Sequence, residues 1–240
     1  MNSKIFVTII LREQKMKYNC IYLIILILFL FGYVTSASAQ IESSMRAQGY
    51  IDVHDVDSTI YVSLMYSRPN NFTGKVLYQD LHHAFLHPDA ALALKKAQSY
   101  LKTLHPELSL IIFDAARPMS VQQKMWNIVK GTRLNIYVSN PANGGGLHNY
   151  GFAVDVSICD AKGDTIPMGT KIDYMGRAAH PEYESEMLRR KIITQEAVSN
   201  RILLRNVLAV GGFKVLKTEW WHFNFKTRTQ IKAEGRVPIK

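Results

Sequence analysis

Residues 148–158 read His148-Asn149-Tyr150-Gly151-Phe152-Ala153-Val154-Asp155-Val156-Ser157-Ile158. From Phe152 onward, apolar residues at 152, 154, 156 and 158 alternate with Ala153, Asp155 and Ser157, the period of a β-strand with one face on a core. Asp155 stands in the middle of that strand. A carboxylate there must be hydrogen-bonded, ion-paired or bound to a metal, because burying it alone is prohibitive. A salt bridge to an arginine meets that requirement as well as a metal ion does. The preceding run, residues 139–147, holds Ser, Asn, Pro and three consecutive glycines. It reads as an irregular loop that delivers His148 to the start of the strand.

Working outward, residues 60–66 alternate and are β-branched or aromatic, which predicts a strand, and 68–74 carry turn chemistry. Residues 88–104 place alanines and leucines at helical spacing behind Pro88. A short apolar strand is expected at 108–113, and a second helix at 120–129 with Ser120 as its N-cap. After a polar loop at 160–182, a helix is expected from about 184 to 209, with one break. Gly211-Gly212 ends it, and 213–216 with 220–225 form a closing hairpin. Strands and helices mix without βαβ alternation. The expected class is therefore α+β, a single domain with a central, mainly antiparallel sheet flanked by helices.

The chain of 240 residues is long enough for one sizeable core, and 48% hydrophobic content fits a globular protein. Its formal charge is +10. Lys4, Arg12, Lys15 and Lys17 against Glu13 belong to an N-terminal segment with export character: a basic stretch, the apolar block 21–34, and Ser36-Ala37-Ser38-Ala39. Residues 1–39 are read as a signal peptide cleaved after Ala39, with Met16 as an alternative start and an uncleaved anchor as the other option. The protein is thus expected to be exported to the periplasm or cell envelope, with no membrane span in the mature chain. Residues 40–49 are a polar lead-in, 50–226 the main folded domain, and 227–240 a basic C-terminal tail. The basic residues form no dense run interleaved with aromatics, which speaks against a nucleic-acid partner, and no protein partner is inferred. Cys20 leaves with the signal, so Cys159 remains as a lone thiol and no internal disulfide is expected.

Two more segments carry unusual residues. In Glu219-Trp220-Trp221-His222-Phe223-Asn224-Phe225, the aromatics at 221, 223 and 225 share one face, and His222 with Asn224 shares the other. Glu219 then falls on the wrong side of a regular strand. It can serve the same site as His222 only from a turn or across a β-bulge. In Phe113-Asp114-Ala115-Ala116-Arg117-Pro118, an arginine follows a buried strand, with its backbone restricted by Pro118. It either pairs with Asp114 alone or faces a cleft. Two histidines and a carboxylate are a usual ligand set for a catalytic zinc. A non-ligand carboxylate and a fixed guanidinium supply the base and the oxyanion partner that amide hydrolysis needs.

These motifs resemble the zinc D-alanyl-D-alanine dipeptidases, including those of vancomycin-resistance systems, and more widely the zinc D,D-carboxypeptidases and the Hedgehog signalling domain. The family pattern S-x-H-x-x-G-x-A-x-D followed by E-x-x-H appears as Gly146 to Asp155 and as Glu219 to His222. The dipeptidase branch adds Asn71-Phe72-Thr73-Gly74, Asp114 to Pro118, and Met168-Gly169-Thr170-Lys171-Ile172-Asp173. The resemblance covers about residues 50–226. It implies one Zn²⁺ per chain held by His148, Asp155 and His222, with Glu219 as general base and acid and Arg117 stabilising the oxyanion. It implies that Asp173 holds the ammonium of a small dipeptide substrate, D-Ala-D-Ala. The family's serine, which the resemblance implies helps bind the substrate carboxylate, is Gly146 here; either the backbone N–H groups of residues 144–146 take over that task or the substrate preference is shifted. A D,D-carboxypeptidase acting on longer peptidoglycan stems and a non-catalytic zinc-stabilised module remain as alternatives.

Other histidines are weaker candidates. His82, His83 and His87 precede a helix and read as surface or capping residues, and Asp52, His54, Asp55 and Asp57 as a polar turn. Cys159 reads as a buried, inert thiol.

Overall fold

The computed structural model describes residues 41–240; the expected signal peptide and Cys20 lie outside the described residues. In chain order the elements are α1 (41–47), β1 (Ile51–Asp52), α2 (Val53–Val56), β2 (Tyr61–Val62), β3 (Phe85–Leu86), α3 (Pro88–Leu104), β4 (Ser109–Asp114), α4 (Met119–Val129), β5 (Ala153–Cys159), α5 (Glu184–Arg189), α6 (Gln195–Val210), β6 (Lys214–Leu216), β7 (Glu219–Asn224) and α7 (Arg228–Ala233). Short 3₁₀ turns fill several of the connections.

β5, the strand read first from the sequence, is the middle of a five-stranded sheet ordered β2-β4-β5-β7-β6, and every one of its residues is buried. β4, β5, β7 and β6 pair antiparallel, while β2 joins β4 in parallel. The sheet is therefore mixed, and the α+β class holds. Helices α3 and α6 pack on each other. Their buried Leu94, Leu101, Leu204 and Leu208 join Leu110, Ile112, Val154, Val156 and Ile158 in one core. A fully buried aliphatic side chain of this kind contributes roughly 1.5–3 kcal/mol. No helix among the described residues is long and apolar enough to cross a membrane.

Several elements differ from the sequence reading. The strand expected over 60–66 is only Tyr61–Val62, because the chain turns into a 3₁₀ helix at Met65–Ser67 and directs the Tyr66 hydroxyl to Asp173. Helix α4 starts at Met119 behind Pro118, and Ser120 does not cap it. The long helix breaks into α5 and α6, with Thr194 capping the second through Ala197 N–H. Residues 41–47 are helical and bury Met45, so the lead-in is part of the fold.

Two register shifts decide which side chains face the cleft. Between Ile112 and Asp114 the pairing with β5 slips, so Asp114 lies opposite Asp155 rather than Val154. A regular strand would have turned Asp114 to the same side as Ile112, into the core. Between Val215 and Leu216 the partner jumps from Phe223 to Glu219. That is the bulge the E-x-x-H spacing required. The pairs Asp114–Asp155 and Asp155–His222 then form one row across three adjacent strands.

The C-terminal segment, read as a basic tail, returns to the domain. Ile231 and Ile239 are buried, Met119 N–H donates to Ile239 O, and Ile239 N–H donates to the carbonyl of Asn149, the residue after His148. Ile239→Ala is expected to destabilise the protein by about 2–4 kcal/mol, as truncation of a buried isoleucine does. Urea denaturation measures this; a loss under about 0.5 kcal/mol would mean the segment is a free tail.

Candidate metal centre and catalytic cleft

His148 sits in a 3₁₀ turn (Leu147–Tyr150) that ends at Gly151, whose φ is 69°. A Cβ at Gly151 would lie 2.6 Å from the Tyr50 ring and 2.8 Å from His87 N. Glycine alone fits that corner, which is the physical content of the H-x-x-G spacing. The turn brings His148 Nε2 to 3.3 Å from Asp155 Oδ1 and 3.1 Å from His222 Nδ1, and His222 Nδ1 lies 3.0 Å from the same carboxylate oxygen. Among the described residues this is the cluster with metal-binding geometry.

The protonation pattern says what the cluster needs. His148 Nδ1 donates to the carbonyl of Ala115 at 2.7 Å, which leaves a lone pair on Nε2. His222 Nε2 faces Asn224 Oδ1 at 2.9 Å, which leaves a lone pair on Nδ1. Two lone pairs and a carboxylate oxygen thus converge on one point, an arrangement that repels itself without a cation. Ligands about 2.0–2.1 Å from a tetrahedral zinc stand roughly 3.3 Å apart, close to the separations seen here. The donor set fits zinc, and the outer hydrogen bonds fix the tautomers as metal sites require. Burial opposes charge on Asp155, but positive charge held among His148 and His222 overrides it and keeps the carboxylate well below its ordinary pKa.

A cleft of about 620 Å³ opens over these residues, lined also by Arg117, Asp173 and Glu219. The structure therefore brings together all seven residues singled out from the sequence, Gly146 included. Glu219 Oε2 lies 4.0 Å from His222 Nδ1. Burial raises its pKa to about 7, against the opposing pull of His222. Arg117 donates through Nε to Asp114 at 2.8 Å and through Nη1 to Gln122 at 2.9 Å, while Nη2 also bonds Asp114 and faces Asp155 Oδ2 at 3.8 Å. Burial works against its charge, yet Asp114 and its other neighbours hold it firmly protonated. The pairing with Asp114 is thus real, and it fixes an arginine that still faces the cleft.

Asp173 has φ 65°, a left-handed conformation that aspartate tolerates better than most residues. Its carboxylate accepts from Tyr66 Oη at 3.0 Å and from Phe72 N–H at 3.3 Å. This explains why the Asn71-Phe72-Thr73-Gly74 turn accompanies it. Burial, reinforced by Asp155, raises its pKa to about 7. The Met168-Gly169-Thr170 segment is held in turn: Thr170 accepts from Trp220 Nε1 at 2.8 Å, and a Cβ at Gly169 would press on Ile193 at 2.9 Å.

Several supporting residues carried no readable signal. Tyr78 donates to Asp114 at 2.5 Å. Asn149 donates to the Arg117 carbonyl at 2.8 Å and accepts from Gly146 N–H at 2.8 Å. Arg201 is fully buried and holds the 168–178 segment through the carbonyls of Met168 and Ala178. The E-x-x-H and D-x-x-R spacings pointed to the candidate site groups, whereas most of these supporting contacts join residues more than thirty apart in sequence. The rival histidines do not form a second centre. His87 caps α3 by accepting from Asp89 N–H, His83 pairs with Glu42, and His54 bonds the Ile60 carbonyl. Cys159 is buried, with its thiol pushed up to about 11 by desolvation, as an inert core cysteine should be.

The raised pKa of Asp173 carries a stability cost with a definite sign. Between its ordinary value of 3.8 and about 7, the folded chain holds a proton that the unfolded chain has lost. Stability is therefore present at low pH and falls as pH rises through 7. Metal-free Asp173→Asn is expected to lose roughly 2–4 kcal/mol less than the parent between about pH 4.5 and about pH 8. Urea titrations at both pH values measure it; identical losses would mean Asp173 ionises as freely as in water.

Comparison with known proteins agrees with this geometry. Residues 46–233 match the M15 peptidase family described as D-ala-D-ala dipeptidase. The chain is 31% identical over 173 residues to the D-alanyl-D-alanine dipeptidase of Escherichia coli K12, spanning 72% of this chain and 82% of that protein. It is 26% identical over 160 residues to that of a Synechocystis species, spanning 55% and 65%. It is 25% identical over 178 residues to that of Enterococcus faecalis, spanning 66% and 82%. The match runs from α1 to the end of α7 and takes in every residue of the cleft, so the chain belongs to the D-Ala-D-Ala dipeptidase family of M15 peptidases and is a metallopeptidase.

Proposed function

We propose that this protein hydrolyses the dipeptide D-Ala-D-Ala in the periplasm or cell envelope, using one zinc ion per chain. The observation that carries the reading is a buried base and a buried arginine set around three convergent metal donors, with a second carboxylate in the same cleft. The names of the relatives supply the substrate class, and the signal-like residues 1–39 supply the location.

Zinc held by His148, Asp155 and His222 would supply a Lewis acid that acidifies water and draws charge from a carbonyl oxygen. The chain's own groups do the rest. Glu219, with its pKa near 7, takes a proton from the attacking water and returns it to the amide nitrogen as the C–N bond breaks. Two D-alanines leave. Arg117 offers its guanidinium to the oxygen that becomes negative, and its bonds to Asp114 and Gln122 fix it before substrate arrives. Asp173, ionised above about pH 7, pairs with the substrate ammonium. A dipeptide has that ammonium one residue from the scissile bond; a long peptidoglycan stem does not.

Glu219→Gln is expected to lower kcat on D-Ala-D-Ala by about 10²–10⁴-fold while zinc content stays at one per chain. Stopped assays of alanine release, with metal analysis of the same sample, check both. Undiminished hydrolysis would refute the role of Glu219. Faster release of D-alanine from a pentapeptide stem than from the free dipeptide would favour the carboxypeptidase reading instead.

A further inference from the structure

A dipeptide is a zwitterion, and a cleft that grips its ammonium needs a donor set for its carboxylate. The glycine loop was expected to present backbone N–H groups for this. In the structure all three are occupied: Gly144 N–H donates to Pro141 O, Gly145 N–H to Asn140 O, and Gly146 N–H to Asn149 Oδ1. Arg117 is held by Asp114 and Gln122 beside Asp155, where the reading above already gives it to the oxyanion. One other arginine lines the cleft, Arg228.

Arg228 opens α7, in the segment read from sequence as a tail outside the domain. Its Nη1 donates to Asn143 O at 2.7 Å, and its Nη2 bonds the Gly145 carbonyl. Among the described residues, only carbonyls hold it. Among the described residues no carboxylate lies within ion-pair distance of Arg228, so its charge is half-buried and uncompensated beside Gly146. Thr227 and Gln230 form a capping box that fixes the start of α7, and with it the root of this side chain.

A second group sits at the same place. A Cβ built on Gly146 would lie 3.0 Å from Ser139 Oγ. The hydroxyl of Ser139 thus occupies the space that a side chain at 146 would fill. It lines the cleft, and its oxygen has no hydrogen-bond partner among the described residues. A cation lacking a counter-ion and a free hydroxyl therefore flank Gly145 and Gly146, in the cleft that also holds the metal donors.

We infer that Arg228 and Ser139 form the carboxylate clamp of this enzyme and set its preference for peptides with a free C-terminal carboxylate. This rests on the dipeptidase reading above. A guanidinium gives a carboxylate a charge-assisted, directional contact, and the hydroxyl adds a neutral one. The backbone at Gly146, with φ −108°, accepts any L-residue, so what keeps a side chain out is Ser139 itself.

The test compares D-Ala-D-Ala with its C-terminal carboxamide, using zinc-loaded enzyme. Arg228→Gln keeps amide donors near the Asn143 and Gly145 carbonyls and removes the charge. It is expected to raise KM for the dipeptide at least about tenfold and to collapse the acid-over-amide preference, with the loss in KM rather than kcat. Ser139→Ala is expected to raise KM about three- to tenfold. The double variant Ser139→Ala/Gly146→Ser, which returns a hydroxyl from the other side, is expected to recover most of it. Equal losses on acid and amide, a parent enzyme with no preference for the acid, or no recovery in the double variant would overturn the clamp while leaving dipeptide hydrolysis intact. A parent enzyme that cleaves no dipeptide at all would overturn both.

Discussion

A carboxylate buried in the middle of a fully buried strand is the constraint on which the rest of this structure depends. Asp155 cannot stay ionised there unless positive charge meets it, and the sheet gathers around it the groups that can hold such a charge. His222 lies opposite it on β7, His148 arrives from the preceding turn, and the Arg117 guanidinium stands on its other side. Each imidazole has its outer nitrogen engaged elsewhere, so both present lone pairs to the carboxylate oxygen. The cluster is electrostatically unfinished as protein alone, and a metal cation completes it.

Around that centre the fold accepts costs that a purely structural domain would avoid. Asp173 and Glu219 are buried with pKa values raised to about 7, so their ionised forms destabilise the folded chain. Arg228 keeps a charge with no acidic partner among the described residues. Stability is recovered at a distance from the cleft. The α3–α6 core, the fully buried Arg201 behind the 168–178 segment, and the C-terminal Ile239 under Asn149 hold the walls in place. The backbone is shaped to the same end: bulges at Phe113 and in β7 turn Asp114 and Glu219 toward the cleft, against the period of their strands.

The candidate site residues were legible because chemistry restricts them. An aspartate amid alternating valines, an E-x-x-H before aromatic alternation, and an arginine before proline each break a local pattern that packing alone would keep. The E-x-x-H spacing even required the β7 bulge, since Glu219 and His222 fall on opposite faces of a regular strand. The bulge at Phe113 had no such marker, because Ile111-Ile112-Phe113 is equally consistent with a regular strand. Helix extents followed from periodicity, whereas β2 stops at Val62 for a tertiary reason, the reach of Tyr66 to Asp173. The contacts of Arg228 and Asn149 were hidden because their partners are backbone carbonyls and N–H groups, which leave no trace in side-chain pattern. Basic composition at 227–240 looked like a solvated tail, and two isoleucines were too few to contradict it.

The most direct test of the central claim is anomalous diffraction from crystals of the zinc-loaded protein, with data on both sides of the zinc absorption edge. The account requires one strong difference peak per chain, about 2.0–2.2 Å from His148 Nε2, His222 Nδ1 and Asp155 Oδ1. No peak at that point, or a peak elsewhere with these three side chains left in mutual contact, would contradict it.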